Sequence, residues 1–220
     1  MRGTILYGAH DVRCEEVPEP QIDQPTDAII RLSASCICGS DLWPFRGLNE
    51  VTSPLAMGHE YCGIVEEVGS SVTTVKPGQF VVGSFCLSDN TCPHCRFGFQ
   101  SSCQQREFMT GAQAPLARVA LADGTLIATP EIPSDDLIPH LLAASDVLGT
   151  GWYAADAARV QPGWRLFPAT QQAERVRVRP TPSPRRSRRG CWSPGAARQR
   201  LFSCVSFRQA ITVIAASDPP

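Results

Sequence analysis

The sequence predicts a mainly β, barrel-like body with a few helices over residues 1–148. Three observations carry this. Short runs rich in branched and aromatic residues recur from residue 2 to 128, Gly- and Pro-containing turns separate them, and helical periodicity begins only after Pro133.

The elements follow in order. Residues 2–7 and 12–17 read as two strands around a Gly-Ala-His-Asp turn, and Pro18, Pro20 and Pro25 keep the next stretch extended. Residues 28–34 (Ala-Ile-Ile-Arg-Leu-Ser-Ala) form a strand that delivers Cys36 and Cys38. Residues 40–47 suit a short helix capped by Ser40 or Asp41, and 48–57 a loop. Strands are expected over 60–69 and 80–85, joined by the Lys76-Pro77-Gly78-Gln79 turn. A polar loop from 86 to about 110 precedes short strands at 116–120 and 125–128, which Asp123-Gly124 separates. Apolar residues at 137, 138, 141, 142 and 147 predict a helix over 135–148, and a second helix is expected over 152–160.

The 220 residues are 43% hydrophobic, enough for a sizeable core, and carry ten cysteines. Met1 to Arg13 has no long apolar region of the signal-peptide kind, and no stretch approaches the ~20 apolar residues of a membrane span. The expectation is a cytoplasmic chain with no membrane or nucleic-acid partner, whose thiols are reduced and partly committed to metal. The net charge of −1 hides an asymmetry. Residues 1–164 hold 9 basic and 19 acidic residues, whereas 165–220 hold 11 Arg and 2 acids.

Cys92-x2-Cys95-x7-Cys103 places three thiolates in one loop, a spacing that lets the chain wrap a tetrahedral zinc ion. The three-residue steps make Asp89 the preferred fourth ligand, with Cys86 as the fallback and His94 as a weaker candidate. Such a closed site substitutes for a hydrophobic core in a loop that has none. Cys38 and His59 suggest a second ion, but neither is specific alone. A Gly-His-Glu is often a turn with a satisfied histidine, and a cysteine at a strand end is usually a small buried apolar group.

The motifs together are more specific. Cys38-Gly39-Ser40-Asp41, Gly58-His59-Glu60-x2-Gly63-x5-Gly69-x2-Val72, Val75-Lys76-Pro77-Gly78-Gln79, the loop 89–103 and Ser145-Asp146-Val147-Leu148-Gly149-Thr150-Gly151 resemble the zinc-dependent medium-chain alcohol dehydrogenases over residues 1–163. The resemblance implies a GroES-like β-barrel catalytic domain. It implies Cys38, His59 and Asp146 as catalytic zinc ligands, Glu60 as an adjacent carboxylate able to ligate, and Ser40 as holder of the alcohol hydroxyl and start of a proton relay. The catalytic residues are thus Ser40, Cys38 and His59. It further implies two zinc ions per chain, NAD or NADP as cofactor, a small alcohol or carbonyl substrate, and a homo-oligomer. Trp43 stands where many members carry a relay histidine. Leu42, Trp43 and Phe45 are candidate pocket residues, though core packing explains them equally well.

Residues 149–164 are expected to lead as a connecting helix towards a Rossmann domain, which residues 165–220 are not expected to supply. Gly149-Thr150-Gly151-Trp152-Tyr153-Ala154 fits G-x-G-x-x-A but follows a helix-like stretch rather than a strand, so it is rejected as a phosphate loop. Residues 165–220, rich in Arg, Pro and Ser, read as disordered or as translation in a shifted frame. The alternatives to an enzyme are a non-catalytic zinc-binding fragment and, on tail charge alone, an RNA- or membrane-associating protein. His10, His140, Cys14, Cys36 and Cys62 are expected to be surface, cap or packing residues.

Overall fold

The computed structural model describes residues 1–161 and, beyond them, two short backbone strands. Expectations about the remainder of 162–220, including the shifted-frame tail, lie outside the described residues. The strands are β1 (Arg2–Gly8), β2 (Asp11–Glu16), β3 (Ala28–Cys36), β4 (Leu55–Ala56), β5 (Glu60–Val68), β6 (Phe80–Gly83), β7 (Cys86–Leu87), β8 (Glu107–Phe108), β9 (Leu116–Val119) and β10 (Leu126–Ala128). The helices are α1 (Leu42–Phe45), α2 (Pro93–Arg96), α3 (Ala122–Thr125), α4 (Ile138–Ala143) and α5 (Val147–Ala157).

A five-stranded sheet in the order β10-β6-β5-β3-β9 is the frame, and β2-β1-β4 and β7-β8 form smaller sheets. All these pairings are antiparallel. Hydrogen bonds from Thr4 N–H to the Gln113 carbonyl and from Gln113 N–H to the Met57 carbonyl tie the β1 sheet to the segment before β9. The core between them contains Ile30, Tyr61, Val65, Val81, Val119 and Leu126. Each such buried side chain contributes about 1.5–3 kcal/mol relative to exposure.

β5 is the middle strand, and its first four residues are buried. That burial explains two features of its sequence. A Cβ on Gly63 would lie 2.1 Å from the Arg31 carbonyl oxygen, so only glycine lets β3 come this close. The β3–β5 register also shifts between Leu32 and Ala34, and it sets Cys36 directly opposite Glu60. The pairing therefore carries a carboxylate to the buried end of the sheet.

The helical region differs from expectation. α4 ends at Ala143 and α5 begins at Val147, so the break falls inside the predicted 135–148 helix. Ser145 turns back on Leu142, its hydroxyl donating to that carbonyl at 2.7 Å, and Asp146 lies in the turn. Gly149, Thr150 and Gly151 sit within α5, a helix rather than a phosphate-binding turn. β4 and the β7–β8 pair lie where loops were expected, since two-residue strands leave no alternation to read.

The chain divides into a unit spanning Met1–Gly149 and one that begins at Thr150. The described part of the latter comprises the end of α5, the turn to Gln161, and β11 (Arg165–Leu166) paired antiparallel with β12 (Val176–Arg177). Among the described residues no helix is long and apolar enough to cross a membrane.

Candidate metal centres

Two groups of potential ligands form in the first unit. Ligand atoms of Cys38, His59, Glu60 and Asp146 lie within 4.8 Å of one another, and so do those of Asp89, Cys92, Cys95 and Cys103.

The first group is assembled from four places in the fold. Cys38 follows β3 and opens the 3-10 turn Gly39–Asp41. His59 and Glu60 stand at the head of β5, and Asp146 in the turn between α4 and α5. Gly58, at φ +97°, makes the sharp entry to His59. A Cβ there would meet the Gln113 backbone nitrogen at 2.6 Å.

Asp41 links two members of the group. Its Oδ2 accepts the Cys38 backbone N–H at 2.9 Å, and its Oδ1 lies 3.2 Å from His59 Nδ1. Nδ1 is thereby engaged, and Nε2 faces the site. Nε2 lies 3.6 Å from Asp146 Oδ2 and 3.4 Å from Ser40 Oγ. The Cys38 thiol donates to the same Asp146 oxygen at 3.4 Å. Burial disfavours the charged imidazolium, but hydrogen bonds to Asp146, Asp41 and Cys38 outweigh it and push His59 up to about 12. The same oxygen and sulfur atoms would face a cation held in this position. A thiol, an imidazole nitrogen and a carboxylate are a donor set that suits zinc, and the carboxylate behind Nδ1 is the usual orienting partner of a ligating histidine.

The second group is local. The chain turns through α2 and a 3-10 turn at Gln100–Ser102, and Cys92, Cys95 and Cys103 form a small buried cluster of their own. Cys92 and Cys103 Sγ are 4.0 Å apart, too far for a disulfide. Cys103 Sγ accepts the N–H groups of Asp89 and Gln105 at 3.4 and 3.3 Å. Asp89 Oδ1 accepts those of Thr91 and Cys92 at 2.9 and 3.0 Å. Burial would raise the Asp89 carboxyl, but these donors win and hold it near 2. If ionised, any two of these four acidic groups at 4.8 Å would repel by about 3.5 kcal/mol at an effective dielectric constant near 20. A divalent cation relieves that repulsion, and a set of three sulfurs and one oxygen fits zinc. Of the alternatives, His94 instead places Nδ1 2.5 Å from the Ser102 carbonyl oxygen, and Cys86 belongs to β7, outside the group.

Four contacts were not legible in the sequence. Phe85 sets its ring edge-on to His59, centroids 6.0 Å apart, and Phe108 stacks on Phe85 at 6.5 Å. Phe45, a candidate pocket residue, packs on His10 at 5.0 Å. Cys36, expected simply to pack, donates its thiol to Glu60 Oε2 at 3.0 Å. Burial first, then that bond, pushes this thiol up to about 12, so at neutral pH it is a hydrogen-bond donor.

The antiparallel β body thus brings together one dispersed and one looped set of zinc-type donors. The family model of the alcohol dehydrogenase GroES-like domain matches residues 24–134, about half the chain. The chain belongs to this family, that of the zinc-type medium-chain alcohol dehydrogenases. It is 38% identical over 161 residues to a medium chain reductase/dehydrogenase, ucsI, of Acremonium sp., covering 70% of this chain and 54% of the relative. It is 35% identical over 163 residues to zinc-type alcohol dehydrogenase B of Aspergillus flavus, covering 72% and 37%. Among solved structures, the alcohol dehydrogenase TADH from Thermus sp. ATN1 superposes with a TM-score of 0.68 at 31% identity, covering 74% of this chain and 49% of that one. The chain spans about half the length of the relatives it matches.

Proposed function

We propose that residues 1–149 form the catalytic domain of a zinc-dependent alcohol dehydrogenase, which interconverts a small alcohol and its carbonyl compound with NAD or NADP. The juxtaposition of Cys38, His59 and Asp146, with Ser40 Oγ 3.4 Å from His59 Nε2, carries this reading.

Cys38, His59 and Asp146 would hold the catalytic zinc, with Glu60 as an adjacent carboxylate. Bound there, zinc supplies Lewis acidity towards an alcohol or carbonyl oxygen, while NAD(P) supplies the hydride acceptor. The protein's own part is positional. Asp41 fixes the His59 ring and the Cys38 backbone together, so the donor set is pre-organised. Ser40 Oγ accepts a hydrogen bond from the substrate hydroxyl and passes a proton on. Trp43, where many members have histidine, offers an indole N–H donor but no basic nitrogen to take up a proton, so the next relay step uses water. Phe85, backed by Phe108, sets an apolar ring beside His59. Asp89, Cys92, Cys95 and Cys103 would hold a second, structural zinc that closes the 89–103 loop.

No strand–glycine turn–helix unit for a dinucleotide lies among the described residues, and Gly149-Thr150-Gly151 is helical. The helical Gly149-Thr150-Gly151 stretch is compatible with a second reading, a zinc-binding domain without turnover of its own. Metal analysis with NAD(P)H titration and an alcohol-oxidation assay separates the two. Two zinc ions per chain with alcohol-dependent NAD(P) reduction supports the enzyme. Two ions with neither nucleotide binding nor turnover supports the zinc-binding domain. A chain without zinc contradicts both.

A further inference from the structure

We propose that Cys36 is a positioning residue that restrains Glu60, holding its carboxylate in reserve beside the Cys38–His59–Asp146 group. The inference rests on the zinc reading of that group. Three observations carry it. The β3–β5 register sets Cys36 opposite Glu60, so the backbone ladder, rather than a chance rotamer, brings the two side chains together. The thiol donates to Glu60 Oε2 at 3.0 Å. Glu60 is 2% exposed, yet one of its oxygens lies within 4.8 Å of the ligand atoms of the other three residues.

A buried carboxylate this close to a divalent ion is strongly drawn towards it. If it ligates fully, it occupies the position the substrate oxygen needs. The Cys36 thiol gives Oε2 a competing partner within the sheet, and a neutral donor weakens the carboxylate's pull without adding charge. Cys36 therefore sets how readily Glu60 joins the inner shell, while Cys38, His59 and Asp146 set whether the ion is held.

The test uses the full chain loaded with cobalt(II), whose visible bands weaken as coordination rises from four to five, with His59→Ala as the background for the second cluster. Cys36→Ala should weaken the first-cluster bands and slow chelator-driven release of that ion, because Glu60 then adds a ligand bond. Cys36→Ser, which keeps a donor, should stay near wild type. Cys36→Ala should add nothing in a Glu60→Gln background. The proposal is overturned if Cys36→Ala matches wild type, if Cys36→Ser moves as far as Cys36→Ala, or if the effect persists with Glu60→Gln. If wild type takes up two cobalt ions and Cys36→Ala is silent, the restraint alone fails. If wild type takes up one ion that His59→Ala leaves unchanged, the zinc reading of the first group fails and the restraint falls with it.

Discussion

The two ligand groups differ in how the chain makes them. The second spans residues 89–103, and its geometry comes from one loop, two short turns and a few backbone N–H groups. The first draws on residues 38, 59, 60 and 146, and exists only when β3, β5 and the α4–α5 turn are in place. The local group uses four acidic donors and engages its spare lone pairs with backbone N–H groups, which suits a closed site. The dispersed group mixes sulfur, nitrogen and oxygen, and keeps Ser40 and the Phe85 ring against it, which suits an open one.

This contrast can be broken from either side. The largest effect is expected from Cys95→Ser, which should lose the second ion, and with it a share of the roughly 10 kcal/mol that structural zinc sites supply. Limited proteolysis should then cut within 89–106 while the first ion stays bound. Loss of both ions would show that the local group also supports the dispersed one.

Gly63→Ala attacks the other side. Its Cβ would meet the Arg31 carbonyl oxygen at 2.1 Å, a clash with backbone that cannot turn aside. A destabilisation of about 3 kcal/mol is expected from denaturant unfolding, with first-cluster metal lost before second-cluster metal. Equal loss of the two would erase the distinction.

Asp41→Asn sharpens the picture within the first group. It weakens the grip on His59 Nδ1 and the Cys38 N–H, and metal affinity there should fall 10–100-fold, with little change in global stability, by competition with a calibrated chelator.

The smallest effect concerns Asp123, near the base of the second loop. It accepts the N–H groups of Thr73 and Thr74 at 2.8 and 2.9 Å. Burial would raise its pKa, but these donors outweigh that and lower it. Its contribution is therefore present above the unfolded value near 4 and lost as pH falls through the lower folded value. Asp123→Asn should cost about 1 kcal/mol at neutral pH and flatten that acid limb in pH-dependent thermal melts. An unchanged limb would show that the carboxylate does not anchor the Thr73–Thr74 segment.

Much of this was readable from the chain because glycines and ligands sit at fixed offsets. The motif glycines mark places where backbones meet. Gly58 takes a left-handed turn beside Gln113, and Gly63 lets β3 approach. The looped group was legible because short spacing dictates proximity. The dispersed group needed the family resemblance, since no local rule places Asp146 beside Cys38 across 108 positions. What stayed hidden depends on register. The Cys36–Glu60 pair follows from a β3–β5 alignment containing two irregularities, and alternation alone does not reveal it. The break between α4 and α5 was missed because apolar periodicity continues through it, while Ser145 ends the first helix by bonding its own preceding turn.

Stepwise metal release tests the central claim most directly. Wild type, His59→Ala and Cys95→Ser are each loaded with zinc and challenged with chelator while the freed ion is counted. Two ions should leave wild type in two phases, with the faster phase absent in His59→Ala and the slower absent in Cys95→Ser. A single phase of one ion, or a fast phase that survives His59→Ala, would contradict it.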